Sequence, residues 1–343
     1  MKEAVLRLLE DAQGELLSGA EIGRRLRISR SAVWKAIGAL KDEGVRIESV
    51  PNRGYRLSPD NDRLSESAIR RHLRCRMLGR QIEILKTVGS TNDALKARAQ
   101  EGVQEGLVIL AEQQTAGRGR QGRRFCSPAH RGVYLSVLTR PRVPIAALSL
   151  LTIAAAVAAA RAVENVTGLS PDVKWVNDLY CEGRKLAGIL TEASVEGETG
   201  LAESVVTGIG LNTSTQAEEF DSGLAQTACS IGAFTGTAPD RNRLAAEILN
   251  ELESCYALLG TPQQAQLLEE YRRRLFIRGR EVRVTAPDAS FPALVLDVDD
   301  MGRLLVRDHT GAVRALSGGE VSLRIPEADE EPRAENTEGN ENR

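Results

Sequence analysis

Residues 117–124, Gly-Arg-Gly-Arg-Gln-Gly-Arg-Arg, place three glycines and four arginines in eight positions, shortly after the apolar run 107–110. Glycine lets a loop take positive φ and brings backbone N–H groups close to a ligand. Arginine adds rigid, permanently charged forks that match carboxylate and phosphate oxygens. Such a loop suits an anionic small molecule, above all one that becomes a phosphate ester. A disordered basic loop that binds nucleic acid nonspecifically has the same composition, and the flanking segments must separate the two.

At 343 residues the chain has length for two or three domains with real cores. Its formal charge of −2 is uneven: residues 327–343 carry a net −5 without an aliphatic run, which predicts a disordered acidic tail. The five cysteines, 75, 126, 181, 229 and 255, form no C-x-x-C pair, and with three histidines they argue against structural zinc and for reduced cytosolic thiols. The start runs straight into an amphipathic pattern with Glu10 and Asp11, unlike a signal peptide. Residues 145–163 are apolar but Ala-rich and interrupted by Ser149, Thr152 and Arg161. They fall short of the roughly 20 strongly apolar residues of a membrane span and read as a core helix. The expectation is a cytoplasmic protein with no membrane partner.

Residues 1–58 have the pattern of a winged helix-turn-helix. Val5, Leu8 and Leu9 follow helical spacing, and Ser18-Gly19-Ala20-Glu21 matches a capping box that opens a helix with Ile22 and Leu26 inward. Arg27-Ile28 turns, Ser29 caps the next helix, and Val33, Ile37 and Leu40 form its inner stripe. Arg30, Ser31 and Lys35 face outward, as a recognition helix requires, while Trp34 is expected to pack rather than meet a base. Val45, Ile47, a turn at 51–54 and Tyr55 with Leu57 make a β-wing carrying Arg53. The module is net +3, appropriate for phosphate contacts, although a three-helix protein-interaction module shares its helices.

Residues 64–270 read as one α/β catalytic domain after a linker near residues 59–62. The strand 82–85 leads to Ser90-Thr91-Asn92 at the start of a helix; these three are good caps, and also hydrogen-bonding groups for a pocket rim. The strand 107–111 leads through Gln114 into the arginine loop. Further strands are 132–138, 173–180 (ending in a turn with a carboxylate), 184–190 and 205–209; Asp178 and Lys185 flank a hairpin.

Gln-x-Ala-Gly-Arg-Gly-Arg, Lys-Trp-x-Asn-Asp, Arg-Lys-Leu-Ala-Gly-Ile-Leu and Gly-x-Gly-x-Asn occur in this order. With the N-terminal winged module, the chain resembles the bifunctional biotin–protein ligases and biotin-operon repressors over residues 1–325. The resemblance implies an α+β multidomain protein: a winged helix-turn-helix (1–58), an α/β ligase domain with a mixed sheet (64–270), a small SH3-like β-barrel (271–326) and the tail (327–343). Short strands at 280–284, 293–298, 304–306 and 312–316 fit the third unit.

The implied reaction has two steps, with ATP and Mg²⁺ as cofactors and biotin as substrate. Biotin's carboxylate attacks the α-phosphate to give biotinyl-5′-AMP and pyrophosphate; a lysine of biotin carboxyl carrier protein then forms an amide with the biotin and releases AMP. By the same resemblance, biotin contacts fall on Ser90, Thr91, Asn92, Gln114, Arg118, Gly119, Arg120, Lys185 and Gly188. Arg118, Arg120 and Lys185 are the catalytic cations, offsetting the repulsion of two approaching anions. Nucleotide contacts fall on Arg120, Arg123, Lys174, Asn177, Asp178, Asn212, Glu320 and Arg324, with Asp178 the metal candidate. Operator DNA of biotin-synthesis genes and a homodimer promoted by biotinyl-5′-AMP complete the implied partners. Val176 and Phe125 stand where the family commonly has proline and tryptophan, and Phe220 or Phe234 is left to cover adenine. Alternative readings are a biotin-sensing regulator with decayed catalysis and a lipoate-type ligase.

Overall fold

The computed structural model describes residues 1–323, apart from 13, 43, 59–61, 196, 198, 221–222, 224, 287–288 and 319. Most of the linker at 59–62 and the acidic tail at 327–343 therefore lie outside the described residues. The described residues divide into two compact units, 1–276 with 300–302, and 277–299 with 303–323.

The first unit opens with α1 (Lys2–Asp11), α2 (Gly19–Leu26) and α3 (Arg30–Asp42), followed by the wing strands β1 (Ile47–Val50) and β2 (Gly54–Leu57). Val5, Leu9, Ile22, Val33, Ile37 and Leu40 meet in one core, because their i, i+3/i+4 spacing puts an apolar stripe on each helix. Ser18 caps α2 by accepting the Glu21 N–H at 3.1 Å, but the Glu21 carboxylate pairs with Arg25, one turn on. Only the serine half of the expected capping box is therefore found. Ser29 caps α3 through the Ala32 N–H at 3.2 Å. Trp34 departs from expectation. It lies on the outer face of α3, 68% exposed, because Val33, Ala36, Ile37 and Leu40 already fill the inner stripe.

After α4 (Glu66–His72) comes a seven-stranded mixed sheet built from β3 (Gln81–Leu85), α5 (Thr91–Gln100), β4 (Leu107–Ala111), β5 (Gly132–Thr139), α6 (Leu148–Thr167), β6 (Asp172–Lys174), β7 (Asp178–Cys181), β8 (Arg184–Val195) and β9 (Ala202–Asn212). Strand order is β3-β4-β5-β9-β8-β7-β6; β3 and β4 are parallel, joined by the α5 crossover, and the other pairs are antiparallel. The segment expected as one strand at 173–180 is two, β6 and β7, turning at residues 175–177. Then follow α7 (Gly232–Thr235), α8 (Arg241–Leu258) and α9 (Gln264–Arg274). The domain boundary expected after residue 270 falls inside α9, whose Leu267, Leu268 and Tyr271 are buried.

The Ala-rich α6 is long and apolar enough to cross a membrane by length and composition, more so than the sequence reading allowed, yet two-thirds of its apolar window is buried inside the fold. Its alanines let α8 approach closely, and Tyr256 of α8 meets Thr207 of β9 at 2.9 Å. On the opposite face, Leu95 of α5 packs with Leu107, Ile109, Leu138 and Val206. Fully buried Arg241 holds the incoming chain against this body: its guanidinium donates to Asp62 at 2.7 Å and pairs with Glu112 at 2.8 Å. Buried Glu10 of α1 accepts the Ser67 hydroxyl on its carboxylate and Arg71 on its carbonyl, tying the winged module to α4.

The second unit is a five-stranded antiparallel sheet of β10 (Glu281–Ala286), β11 (Ala289–Val298), β12 (Leu304–Asp308), β13 (Val313–Leu316) and β14 (Glu320–Leu323), in the order β13-β12-β11-β10-β14.

Candidate active site

Strand register brings the scattered motifs into one line. Directly paired positions run Leu85, Ala111, Tyr134, Gly210, Gly188, Asp178, Lys174 across all seven strands. Paired residues in a sheet share a face, so the row lies on the α5 side. Two positions along from it, Gly208 pairs with Ser136.

The glycines make this face a main-chain floor. A Cβ on Gly208 would lie 2.0 Å from Asn92 Oδ1, and one on Gly210 would lie 2.4 Å from the Phe125 ring. On Gly188 it would sit 3.3 Å from Phe125 and 3.4 Å from Lys185 Nζ. Phe125, which marks the end of the arginine loop, thus lies over the glycine pair 188/210 and meets Tyr134 edge-on at 6.5 Å. Burial pushes the Tyr134 phenol far above its usual range, so it stays protonated and donates to the Pro128 carbonyl.

The polar rim comes from the loops after β3 and β4, which are zipped together by Thr115 N–H to Val88 O and Ala116 N–H to Gly89 O. Gln114 Oε1 accepts the Thr91 N–H at 2.8 Å and its hydroxyl at 3.1 Å; Gln114 Nε2 donates to Ser127 Oγ at 2.9 Å. Ser136 Oγ lies 2.8 Å from Thr91 Oγ1 and 2.6 Å from Asn92 Oδ1, one proton serving both. Ser90 occupies the N-cap of α5 without a side-chain cap bond. Capping alone therefore does not account for Ser90, Thr91 and Asn92: the last two spend their side chains on this network. Ser127 and Ser136 are not among the site residues expected from sequence, and Phe125 enters there only as a departure from the family's tryptophan. A serine within the otherwise apolar run 132–138 is the available signal for Ser136.

The arginine loop closes as a hairpin, with Gly119 N–H on Arg123 O at 2.7 Å and Phe125 N–H on Gly117 O at 2.9 Å. Arg118, expected to face a substrate anion, is committed elsewhere: its guanidinium pairs with Asp93 at 2.9 Å and Glu192 at 2.8 Å. Glu192 also accepts from Asn92 at 2.8 Å and pairs with Lys96 at 2.9 Å. Burial alone would push the Glu192 carboxyl up; hydrogen bonds from Asn92 and Lys96, with the charges of Lys96 and Arg118, outweigh it and hold the group below its usual range. Arg120 reaches the β6–β7 turn, donating to Asn177 Oδ1 at 3.2 Å, and Asn177 Nδ2 donates to Ile189 O at 2.7 Å. Arg123 is exposed.

At the far end of the row, Lys185 Nζ meets Asp178 Oδ2 at 2.7 Å, where the β7–β8 register shifts between Leu179 and Tyr180. Asp178 Oδ1 is buried without a hydrogen-bond partner. Lys174, opposite Asp178, holds its ammonium 5.7 Å from the Tyr180 ring centroid. The side chain of buried Asn212 donates to Cys229 O at 3.0 Å and leaves its Oδ1 without a hydrogen-bond partner. Neither candidate for an adenine cover stands open: Phe220 is buried, and Arg184 lies over Phe234 at 5.0 Å. No group of three or more His, Cys, Asp or Glu able to hold a metal occurs among the described residues. The backbone of Glu320 pairs with Thr285, while its side chain and the whole of Arg324 lie outside the described residues. On the winged module, Arg30, Ser31, Lys35 and Arg53 are all exposed.

Residues 84–212 match the biotin/lipoate A/B protein ligase family, residues 2–56 an HTH domain, and residues 278–324 the biotin protein ligase C terminal domain. The chain is 33% identical over 326 residues to the bifunctional ligase/repressor BirA of Bacillus subtilis, spanning 94% of this chain and 98% of that one. It is 34% identical over 320 residues to the protein of the same name from Escherichia coli, across 92% and 95% of the two chains. It is also 37% identical over 273 residues to the biotin–[acetyl-CoA-carboxylase] ligase of Mycobacterium tuberculosis, across 76% and 98%. Its fold is similar to that of the Aquifex aeolicus biotin protein ligase solved in complex with biotin and ATP, with a TM-score of 0.61 at 24% identity over 71% of this chain and 99% of that one.

Proposed function

The chain belongs to the biotin protein ligases that carry an N-terminal helix-turn-helix, and we propose that its glycine-floored row is where a biotin carboxylate meets ATP. The protein is an ATP-dependent biotin–protein ligase and a biotin-responsive repressor. The observation that carries the site assignment is the row itself. A neutral hydrogen-bonding rim (Ser90, Thr91, Asn92, Gln114) stands at one end, Phe125 lies over Gly188 and Gly210, and Lys185 with Asp178 stands at the other end. A small bicyclic urea with a carboxylate tail has that polarity along its length: the rim satisfies the ureido group, which is costly to bury unpaired. The tail then ends at Lys185.

Lys185 and Arg120 offset the repulsion between carboxylate and α-phosphate, and Gly119 lets the loop pass close to the reacting atoms. Arg118, already paired with two carboxylates, pins the loop to α5 and β8. Lys174, Asn177, Asp178, Asn212 and Arg123 take the nucleotide side. Mg²⁺ fits there in one respect, since Asp178 offers a buried carboxylate oxygen with no partner; carried by the nucleotide, the ion would neutralise phosphate charge. The carboxylate is its own nucleophile, so the chain has to hold, orient and exclude water. The amine of a carrier-protein lysine then displaces AMP from the anhydride.

The C-terminal antiparallel sheet is assigned as an SH3-like barrel, and the protein as cytoplasmic. Arg30, Ser31, Lys35 and Arg53 contact operator DNA, and a homodimer promoted by biotinyl-5′-AMP places two modules on one pseudo-palindrome. The test is pyrophosphate release with biotin, lipoate and octanoate in parallel. Release with biotin alone supports the assignment, and release with lipoate or octanoate moves it to the lipoate side of the family. A gel shift on a biotin-synthesis promoter, with and without biotin plus ATP, tests the repressor half.

A further inference from the structure

The outer face of α3 holds the most exposed large hydrophobic side chain among the described residues, Trp34 at 68%. An indole left in water forfeits burial that most large side chains obtain, and nothing in the fold of α3 requires it there: the inner stripe is complete without it. The residues around it in sequence indicate what kind of surface would cover it. Between residues 24 and 35 the chain carries Arg24, Arg25, Arg27, Arg30 and Lys35 and no acidic residue. All five are exposed, and of them Arg25 is paired with Glu21. Such a field attracts a polyanion and repels the basic surface of a second copy of the same module. One turn beyond Trp34, at Gly38, a Cβ would find nothing within 4 Å, so the helix backbone is open to close approach on this face. A glycine in a helix interior costs about 1 kcal/mol against alanine, and the core does not ask for this one.

We propose that Trp34 reads sequence in the DNA major groove by laying its indole against the C5-methyl of a thymine. This inference rests on the DNA-binding assignment above and deepens it. The chemistry is specific because thymine carries the groove's apolar methyl group, whereas the other base edges present donors and acceptors. Trp34 lies one turn on from Arg30, about 6 Å along the helix axis, so the two address different base pairs of one half-site. Each half-site therefore contains a thymine whose methyl group, not its hydrogen-bonding edge, is recognised.

The experiment uses the full-length protein with biotin and ATP and a randomised duplex DNA library, selected by wild type. In the selected duplex each thymine is replaced in turn by uracil, which keeps the hydrogen-bonding edge and removes the methyl. One replacement should weaken wild-type binding about five- to tenfold and leave Trp34→Ala unaffected, with circular dichroism confirming that the variant is folded. The wild type should also show a quenched or blue-shifted tryptophan emission on binding. The chain has only two tryptophans and Trp175 is buried, so the change reports Trp34. Equal affinity for every uracil-substituted duplex, or an equal penalty in Trp34→Ala, overturns the proposal. Loss of self-association by Trp34→Ala in sedimentation, with the uracil penalty intact, overturns it in favour of a protein contact. Failure of wild type to select any duplex removes the DNA-binding assignment itself and this inference with it.

Discussion

Lys185 Nζ and Asp178 Oδ2 lie 2.7 Å apart across the β7–β8 hairpin, while the second Asp178 oxygen is buried with no partner. The pair thus presents one cation at the end of the glycine row and one unspent carboxylate oxygen beside it. Lys185→Ala is expected to slow adenylate formation by about 10²–10³, the usual loss for a preorganised group that stabilises developing charge. Biotin affinity should fall far less, because that charge develops mainly in the transition state. Rapid-quench adenylation compared with equilibrium biotin titration separates the two. A collapse of affinity, with the bound fraction reacting at the normal rate, would reduce Lys185 to a ligand contact.

Glu192 gathers Asn92, Lys96 and Arg118, and its carboxyl is held below the ordinary value of 4.5. A depressed carboxylate contributes stability that is present above the unfolded value and lost as pH falls through the folded one. Glu192→Gln should therefore lower the urea midpoint at pH 7 by the equivalent of about 1–2 kcal/mol, the low end for charge-assisted hydrogen bonds because the cluster is partly hydrated. The gap between variant and wild type should close as the pH is taken below about 4.5. A gap that stays constant with pH would show that the variant perturbs packing and not this ionisation.

At Gly210 a Cβ would fall 2.4 Å from the Phe125 ring, whereas at Gly188 the closest approach is 3.3 Å. Gly210→Ala is expected to displace Phe125 and weaken biotin binding at least tenfold, consistent with overpacking costs of about 1–3 kcal/mol. Gly188→Ala should be milder. Adding Phe125→Leu to Gly210→Ala should recover part of the affinity, and calorimetric titration of the four proteins closes the cycle. Simple additivity would mean that the two positions do not compete for one space.

Arg241 is wholly buried between Asp62 and Glu112. Arg241→Met removes the buried cation and leaves buried Glu112 without it, a loss expected to cost about 3–5 kcal/mol. Differential scanning calorimetry reads it directly. Protease sensitivity at Asp62–Arg63 should rise in parallel. A melting temperature within a degree or two of wild type would contradict this account of the clamp.

Local patterns made much of this molecule readable. The helix stripes of the winged module, the strands at 82–85, 107–111 and 132–138 and the four motifs all come from neighbours in sequence. What was not readable depends on distant partners. Arg118 reads in sequence as a catalytic cation facing substrate, because Glu192, 74 residues away, has no local tie to it. Residues 173–180 read as one strand because the turn at 175–177 itself contains the apolar Trp175 and the β-branched Val176. Trp34 is expected to pack because it adjoins the inner stripe, although its position in the helix repeat puts it opposite Ala36 and Leu40. The alignment of Gly210, Gly188 and Asp178 in one row is a matter of register, which alternation within single strands does not specify.

The floor made by Gly188, Gly208 and Gly210 bears on how this protein can change. Main chain has no side chain to exchange, and enlarging these positions only intrudes on Asn92 or Phe125. Acceptance of a bulkier substrate analogue has to come from the walls, by trimming Phe125 or by rewiring Thr91, Gln114 and Ser127. A library varied over the whole chain and selected for such an analogue should therefore yield winners concentrated at those few wall positions, with the three glycines untouched in every survivor. Specificity in this site is anchored where mutation has the least to offer, so its evolutionary freedom lies along the edges.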